Sequence, residues 1–352
     1  MDALTFLDGL TRKGNLVVPV GANGDLRCLA CAHRCIIKEG HRGICKVRFN
    51  NGGTLYVPWG YVAGLHPDPI EKKPFSHVLP GSLALTFGML GCDFHCEFCQ
   101  NWLSSQVGRD PGSLEAVGYI QEITPEKIVA MARQANAKVI ASSYNEPLIT
   151  TEWAVEIFKL ARDAGIQTAY VSNGHATREA LELLRPCLSA YKIDLKSMQA
   201  DNYRSLGGVL ENVLDTIRMV HEMGIWLEIV TLVIPDFNDS NDELWEMSRF
   251  ISSISRDIPW HVTAYHPDYK KQNSPPTPVE TLQRAAEIGQ EAGLRYVYAG
   301  NIPGRVGSLE DTLCPTCQRT LIKRVGYSVV NDSLVGGKCS FCGVSIPGLW
   351  ES

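Results

Sequence analysis

The sequence predicts an α/β protein: a partial (β/α)6-type TIM barrel, preceded by a small Cys-rich N-terminal module and followed by a zinc-ribbon-like C-terminal module. From residue 81 onward, six or seven short apolar runs alternate with helical segments. Such alternation gives a parallel sheet with right-handed crossovers. We therefore expect domains over residues 1–80, 81–304 and 305–352. An open doubly wound sheet is the alternative, although the GxGxxG fingerprint of its dinucleotide sites is absent.

The predicted strands follow one another at regular spacing, and several helix boundaries can be read between them. The strands cover residues 83–88, 138–143, 167–172, 190–195, 226–234 and 260–265, with 295–300 as a seventh, shorter strand. Thr124 and the proline after it start a helix, and Gly165 is placed to end the helix that begins near Thr151. Thr277 and Glu280 form a capping box before the last helix. In a barrel of this type the chemistry lies in loops at the carboxyl ends of the strands.

Composition and charge exclude several classes of function. The 352 residues carry a formal charge of −5, which argues against a large basic surface for nucleic acid. The most basic segment, 28–48, is more simply a solvated face than an RNA contact. No run of about eighteen apolar residues occurs, and the first twenty residues lack the apolar core of a signal peptide. We therefore expect a cytoplasmic protein without a membrane span.

Eleven of the twelve cysteines fall into three tight clusters, and only Cys187 stands alone. In a reducing compartment, cysteines spaced two or three residues apart indicate metal binding rather than disulfides. Cys187 follows a proline in an apolar run and is most simply a small buried hydrophobic residue.

The stretch GMLGCDFHCEFCQNW holds the cluster Cys92, Cys96 and Cys99, directly after the first predicted strand. A cubane iron–sulfur cluster has four irons, each of which normally takes one thiolate. Three thiolates therefore leave one iron open to an external ligand. A zinc site completed by His95 is the alternative, but a structural zinc site has no reason to lie at the catalytic end of a barrel.

The CxxxCxxC pattern, with Phe98 before its last cysteine, resembles the radical S-adenosylmethionine (SAM) superfamily over roughly residues 81 to 303. This resemblance implies a [4Fe-4S] cluster whose open iron is chelated by SAM. It also implies a one-electron donor such as flavodoxin or ferredoxin, reductive cleavage of SAM to a 5′-deoxyadenosyl radical, and hydrogen abstraction from a substrate. Phe98 is then expected beside the cofactor.

Further strand ends resemble cosubstrate-binding segments of the same superfamily. SSYNEP would place Glu146 against the methionine amino group, with Tyr144 and Asn145 where glycines are common, so the backbone path there is in question. VSNGH would place Ser172 and Asn173 in polar contact with SAM.

KIDLKS places Asp194 and Lys196 at the end of the fourth predicted strand. The resemblance to activating enzymes of glycyl radical proteins implies that Lys196 meets the SAM carboxylate, whereas a salt bridge at the barrel rim is the structural alternative. In TAYHPD, the resemblance implies that His266 approaches SAM; a purely structural histidine is equally consistent with the sequence.

Each flanking region contains four more cysteines. The C-terminal set forms two CxxC pairs separated by twenty-one residues: Cys314, Cys317, Cys339 and Cys342. This spacing matches a zinc ribbon, with a rubredoxin-like iron as the alternative. The N-terminal set is Cys28, Cys31, Cys35 and Cys45, with His33 as a substitute ligand. It fits either structural zinc or a second, fully ligated Fe-S cluster, and the spacing does not decide between them.

The complete arrangement resembles the AmmeMemoRadiSam-system radical enzymes, formerly described as pyruvate formate-lyase activating enzyme-like. That resemblance implies association with the two protein families that name the system. A glycyl-radical-enzyme activase is one alternative, although the ferredoxin-like insert of many activases does not follow Cys99. A zinc-ribbon interaction protein on an inactive barrel is another. The sequence leaves the substrate open among peptides, small metabolites and RNA.

Overall fold

The computed structural model describes residues 3–351 of the chain. Residues 1, 2 and 352, at the outer ends of the predicted terminal modules, lie outside the described residues. The helices are α1 (Ala3–Asp8), α2 (Trp102–Ser105), α3 (Pro125–Gln134), α4 (Thr151–Asp163), α5 (Arg178–Leu184), α6 (Ala200–Leu206), α7 (Leu210–Glu222), α8 (Asn241–Ile254) and α9 (Val279–Glu291).

Strands occur in all three regions of the chain. The first eight are β1 (Thr11–Lys13), β2 (Val17–Val20), β3 (Asp25–Cys28), β4 (Ile36–Ile37), β5 (Phe49–Asn51), β6 (Thr54–Pro58), β7 (Tyr61–Val62) and β8 (Gly64–Pro69). The central strands are β9 (Leu83–Gly88), β10 (Gln121–Glu122), β11 (Val139–Ser142), β12 (Gln167–Ser172), β13 (Ala190–Asp194), β14 (Trp226–Val233), β15 (Trp260–Ala264) and β16 (Val297–Gly300). The C-terminal strands are β17 (Thr312–Leu313), β18 (Thr320–Val325), β19 (Ser328–Asp332), β20 (Leu334–Val335) and β21 (Lys338–Cys339).

The main sheet has eight strands in the order β16-β15-β14-β13-β12-β11-β9-β8. Neighbours from β9 to β16 pair in parallel, whereas β8 pairs antiparallel with β9. The strand order follows the chain without the reversal of a doubly wound sheet. Among the described strands, no ladder joins β16 to β8. The predicted α/β fold with a partial parallel barrel is confirmed, including its seventh strand.

Buried apolar residues on both faces explain why these segments form central parallel strands. Every residue of β11 and β15 is buried, because helices cover the outside of the sheet while side chains fill the inside.

The predicted N-cap of α3 is confirmed, since the Thr124 hydroxyl accepts a hydrogen bond from the Lys127 amide. Gly165 follows α4 with a φ of +73°, a conformation that favours glycine at a helix end.

The predicted capping box at the last helix is wrong. Helix α9 begins at Val279 with Pro278 as its N-cap and no side-chain cap. The Thr277 hydroxyl instead donates to the Val233 carbonyl at 2.6 Å and accepts from the Tyr265 amide at 2.8 Å. Thr277 therefore joins the chain segments that leave β14 and β15, a tertiary role that its local sequence does not indicate.

Polar contacts hold both flanking regions to the rest of the chain. In the N-terminal region, the Arg48 guanidinium forms a buried ion pair with Glu152 on α4, with both N–O distances at 2.7 Å. In the C-terminal region, the backbone of Leu349 exchanges hydrogen bonds of 2.7 Å with the backbones of His77 and Leu79. A buried ion pair is thus one contact of the first region with the barrel, and backbone pairing joins the second region to the segment before β9.

Candidate active site and metal centres

A cavity of about 350 Å³ opens at the carboxyl edge of the parallel sheet. Because the carboxyl ends of parallel strands meet at one edge, side chains far apart in sequence converge here. Nine of the sequence-predicted residues line this cavity: Cys92, Cys96, Phe98, Cys99, Glu146, Ser172, Asn173, Asp194 and Lys196.

The cysteine loop follows β9 and is held by close backbone contacts. Gly91 has a φ of +95°, and a Cβ there would lie 2.9 Å from a Val47 methyl and 3.0 Å from the Cys45 carbonyl oxygen. This position therefore requires glycine. Within the loop, the Phe94 amide donates to the Cys92 sulfur at 3.4 Å, and the sulfur of Cys99 lies 3.2 Å from the Ser105 hydroxyl.

The thiols of the cysteine loop are buried enough to disfavour the thiolate. Burial raises the pKa of Cys96 to about 12, although the Lys196 ammonium opposes the rise. Burial also raises the pKa of Cys92, and the nearby Asp93 carboxylate adds to the effect. A bound cation would displace these protons, because metal ligation requires the thiolate.

The sulfur spacing in this loop exceeds that of a mononuclear site. Among residues 3–351, Cys92, Cys96 and Cys99 do not form a group whose sulfurs all lie within 4.8 Å of one another. Zinc–sulfur bonds of about 2.3 Å in a tetrahedral site place the sulfurs about 3.8 Å apart. The loop therefore fits a multi-iron cluster better than a single ion.

Glu146 lies at the end of β11 and is almost fully buried. Its carboxylate accepts hydrogen bonds from the Ser172 hydroxyl at 2.7 Å, the Asn173 amide at 2.8 Å and the Leu148 amide at 3.1 Å. Burial raises the pKa of this carboxyl to about 8, and the Asp93 carboxylate adds to the rise. The structure thus joins three predicted residues into one unit that fixes a carboxylate beside the cavity.

The backbone before Glu146 keeps a glycine-like path although glycines are missing there. Tyr144 has a φ of +71°, in the left-handed region that favours glycine. Opposite it, a Cβ on Gly88 would lie 2.6 Å from the Ser143 carbonyl oxygen. The Tyr144 hydroxyl donates to Asp68 at 2.9 Å, a contact that holds the side chain in this conformation.

Asp194 lies between two lysines at the end of β13. The Lys196 ammonium is 2.9 Å from one carboxylate oxygen, and the Lys192 ammonium binds the other. Burial alone would raise the pKa of Asp194, but the two ammonium groups outweigh it and hold the pKa at about 2. Lys192 was missed from the sequence. Its signal was the two-residue period of a strand, which puts Lys192 on the same face as Asp194.

Phe98 and His266 were both predicted to lie beside the cofactor, but they differ in position. Phe98 is buried and its ring packs edge-to-face on Phe237, with centroids 5.6 Å apart. His266 is exposed and does not line the cavity; its Nε2 lies 2.9 Å from the Nε2 of Gln100. Gln100 itself lines the cavity, so His266 contacts the site through that side chain.

Asp93 was not predicted, yet it connects the cavity to the N-terminal region. It is fully buried, and it accepts from the Asn173 amide group at 2.7 Å and from His175 Nδ1 at 3.3 Å. The rings of His175 and His33 meet edge-on with centroids 4.6 Å apart. Asp93 follows Cys92 directly, and no local pattern distinguished it from an ordinary loop aspartate.

The C-terminal cysteines form a compact group. The sulfurs of Cys314, Cys317, Cys339 and Cys342 all lie within 4.8 Å of one another. Cys314 and Cys342 are 3.6 Å apart, and Cys317 and Cys339 are 3.7 Å apart. These distances match the spacing of about 3.8 Å that a tetrahedral site with Zn–S bonds of about 2.3 Å requires.

The N-terminal cysteines approach one another less closely. In the described part of the chain, Cys28, Cys31, Cys35 and Cys45 do not form a group within 4.8 Å. They are nevertheless neighbours, since burial raises the pKa of Cys31 and the charges of Cys28 and Cys45 add to the rise. This wider spacing resembles that of the loop beside the cavity rather than that of the C-terminal set.

Fold and cavity together define an α/β protein with a cysteine-lined pocket at the carboxyl edge of a partial barrel. The sequence profile described as "Radical SAM superfamily" matches residues 87–251. An uncharacterized protein of Methanocaldococcus jannaschii is 39% identical over 326 residues, which cover 91% of this chain and 95% of the relative. The pyruvate formate-lyase 1-activating enzyme of Escherichia coli K12 is 23% identical over 235 residues, 62% of this chain and 93% of that protein.

A solved structure of a radical SAM methyltransferase from Sphaerobacter thermophilus has a TM-score of 0.49 and 17% identity, covering 73% of this chain and 74% of that one. On its sequence matches, the chain belongs to the radical SAM superfamily. It is therefore an enzyme that uses a [4Fe-4S] cluster and SAM. No helix in residues 3–351 has the length and apolar character needed to cross a membrane.

Proposed function

We propose that Cys92, Cys96 and Cys99 hold the [4Fe-4S] cluster and that the surrounding strand ends bind SAM for hydrogen abstraction from a substrate in the same cavity. When bound, the cluster and SAM together supply the electron transfer and the 5′-deoxyadenosyl radical. The observation that carries this proposal is the convergence of nine predicted residues on one cavity. The protein contributes thiolate ligands, orientation and exclusion of water.

Two charged groups suit the two ends of an amino acid. Glu146, fixed by Ser172 and Asn173, would accept a hydrogen bond from the SAM ammonium. Lys196, held by Asp194 at 2.9 Å, would donate to the SAM carboxylate. Both contacts are charge-assisted and therefore stronger than neutral hydrogen bonds. His266, outside the cavity lining, would act only through Gln100.

The cofactor role of the cysteine loop is tested by changing Cys92 to alanine. We expect anaerobically reconstituted Cys92→Ala protein to form no 5′-deoxyadenosine above background when dithionite is added with SAM. The matched control is Cys187→Ala, because Cys187 is buried and lies outside the three clusters. Turnover by Cys92→Ala at the control's rate would contradict the assignment, and a colourless wild-type protein without iron would favour the zinc-ribbon interaction protein.

The terminal cysteine sets are proposed to hold different metals. The close C-terminal thiols suit zinc, which closes a structural site with four ligands. The wider N-terminal set suits a second Fe-S cluster whose four irons are all protein-ligated. His33 is not needed as a ligand here, since four cysteines are already present; it groups instead with Asp93 and His175, whose ligand atoms lie within 4.8 Å of its own.

The electron donor and the cellular compartment are proposed from the radical SAM class of the enzyme. A flavodoxin or ferredoxin is the proposed electron donor, and a cytoplasmic setting suits reduced cysteines. Association with the AmmeMemoRadiSam partner proteins stays a prediction. Activation of a glycyl radical enzyme is a second candidate, favoured by the match to nearly the full length of an activating enzyme. Hydrogen abstraction from a glycine in a partner protein would give that protein a glycyl radical signal in electron paramagnetic resonance.

A further inference from the structure

Two lysine–aspartate–lysine groups face the same cavity from different parts of the chain. Besides Lys192, Asp194 and Lys196 on and after β13, a second group lies at the end of β8 and in the turn that follows it. In this group Asp68 binds Lys72 at 2.7 Å and Lys73 at 2.8 Å. All four lysines line the cavity.

Each group has two ammonium ions for one carboxylate, so each carries an excess positive charge. The Lys73 and Lys192 side chains are only 4% and 6% exposed. Burial lowers the pKa of Lys73, the Asp68 carboxylate opposes this, and the Lys192 charge lowers it further. Lys73 and Lys192 each share their carboxylate with a second lysine, so both buried ammonium ions keep donors for a further anion, which would also relieve their mutual repulsion.

The proposed cofactors do not supply that anion. On the proposed function, the single carboxylate of SAM is taken by Lys196, and SAM also brings an ammonium and a sulfonium charge. Lys196 also acts on the cluster cysteines, since its charge opposes the rise that burial causes in the pKa of Cys96 and Cys99. Glu146 lines the cavity and its charge acts on Lys192, but on the proposed function Glu146 is taken by the SAM ammonium. Lys73 and Lys192 therefore keep donors for a further anion.

Resting on the proposed function, we infer that the substrate is an anion whose carboxylate or phosphate group binds between Lys73 and Lys192. The Tyr144 ring lies 4.5 Å from the Lys73 ammonium, which limits the directions in which that ammonium can donate. Thr263 and Asn301 also line the cavity.

The inference is tested by titrating reconstituted, SAM-bound enzyme with inorganic phosphate and, separately, with succinate in a calorimeter. We expect one of these anions to bind the wild-type protein. Lys73→Met and Lys192→Met should each weaken that binding about tenfold or more, the loss expected when a charge-assisted hydrogen bond is removed. The anion that binds distinguishes a phosphate-bearing substrate from a carboxylate-bearing one.

The matched control is Lys159→Met, which removes an exposed lysine paired with Glu156 on α4. It should bind the anion as the wild-type protein does. Protection of Lys73 and Lys192 from reductive methylation by the same anion, mapped by mass spectrometry on unmutated protein, gives a second readout if a variant fails to fold.

Two results would overturn the inference: no binding of either anion at millimolar concentration, or equal binding by Lys73→Met, Lys192→Met and wild type. Formation of 5′-deoxyadenosine in the same wild-type preparation keeps the two proposals separate. If it forms without anion binding, only the substrate class is wrong; if it does not form, the proposed function itself fails.

Discussion

The two terminal regions each supply four cysteines, but they arrange them differently. In the C-terminal region the four sulfurs lie within 4.8 Å of one another and Cys342 is exposed. In the N-terminal region Cys28, Cys31 and Cys45 are buried, and the four sulfurs are spread more widely than this limit. On the proposed function, the same number of identical ligands serves a single ion at one end of the chain and a larger cluster at the other.

The two terminal cysteine sets also differ in what lies near them. Asp93, next to the proposed cluster ligand Cys92, raises the pKa of Cys31 after the larger effect of burial. Strand β3 and the N-terminal loops therefore lie close to this loop, although β2, β3 and β4, like β17, β18 and β19, form a sheet separate from the barrel. Ligand spacing and burial carry information about the metal that the count of cysteines does not.

The largest expected effect is on metal content. Wild-type protein should hold about eight iron and about one zinc per chain. Cys31→Ser should lose about four iron and keep zinc, and Cys314→Ser should lose zinc and keep iron, because each thiolate serves only its own site. Elemental analysis of anaerobically reconstituted protein measures both metals, with Cys187→Ser as the control. About two zinc and about four iron in the wild type would show that both terminal sets are zinc sites.

A second prediction concerns how the N-terminal region is held. Arg48→Met leaves Glu152 buried without its partner, so it should lower the free energy of unfolding by about 3–5 kcal/mol. The matched control is Arg34→Met, since Arg34 and Glu179 also join this region to the barrel but are about 40% exposed. The control should cost at most about 1 kcal/mol. Anaerobic denaturant titration measures both, and equal losses would show that the buried pair has no special role.

Much of this architecture could be predicted from the sequence because the central strands are apolar on both faces. The bounds of β9 and β12 agree with the predicted ranges to the residue. Strand β8 could not be predicted, because its sequence GLHPDP contains two prolines and shows no apolar alternation. It forms as an edge strand through its pairing with β9, where prolines are tolerated.

The candidate site likewise contains residues that the sequence predicts and residues that it does not. Cys92, Glu146 and Asp194 were found because each lies in a short motif at a strand end. Lys73 was missed, since its contact with Tyr144 spans 71 residues of sequence, and no local pattern shows which lysine a fold will bury. Local motifs reveal candidate ligands, whereas a buried charge such as Lys73 arises from tertiary packing.

The smallest predicted effect concerns how the C-terminal region responds to acid. His77 is fully buried, its Nδ1 donates to the Pro347 carbonyl at 2.6 Å, and its Nε2 accepts from the Tyr298 hydroxyl at 2.7 Å. These bonds fit the neutral ring, and burial lowers the pKa of His77 to about 4. In the unfolded chain the ring would titrate near its ordinary pKa of about 6.5.

Because the unfolded state binds the proton first, the stability that the neutral ring contributes is present above pH 6.5 and falls as the pH drops toward the folded-state pKa. We expect a loss of about 2 kcal/mol between pH 7 and pH 5. His77→Asn, whose amide can still donate to Pro347, should lose less over this interval. The pKa of Glu152 is lowered, chiefly by Arg48 against the effect of burial, so the N-terminal attachment should persist at pH 5. Hydrogen exchange at both pH values separates the two regions, and equal opening of both would contradict this difference.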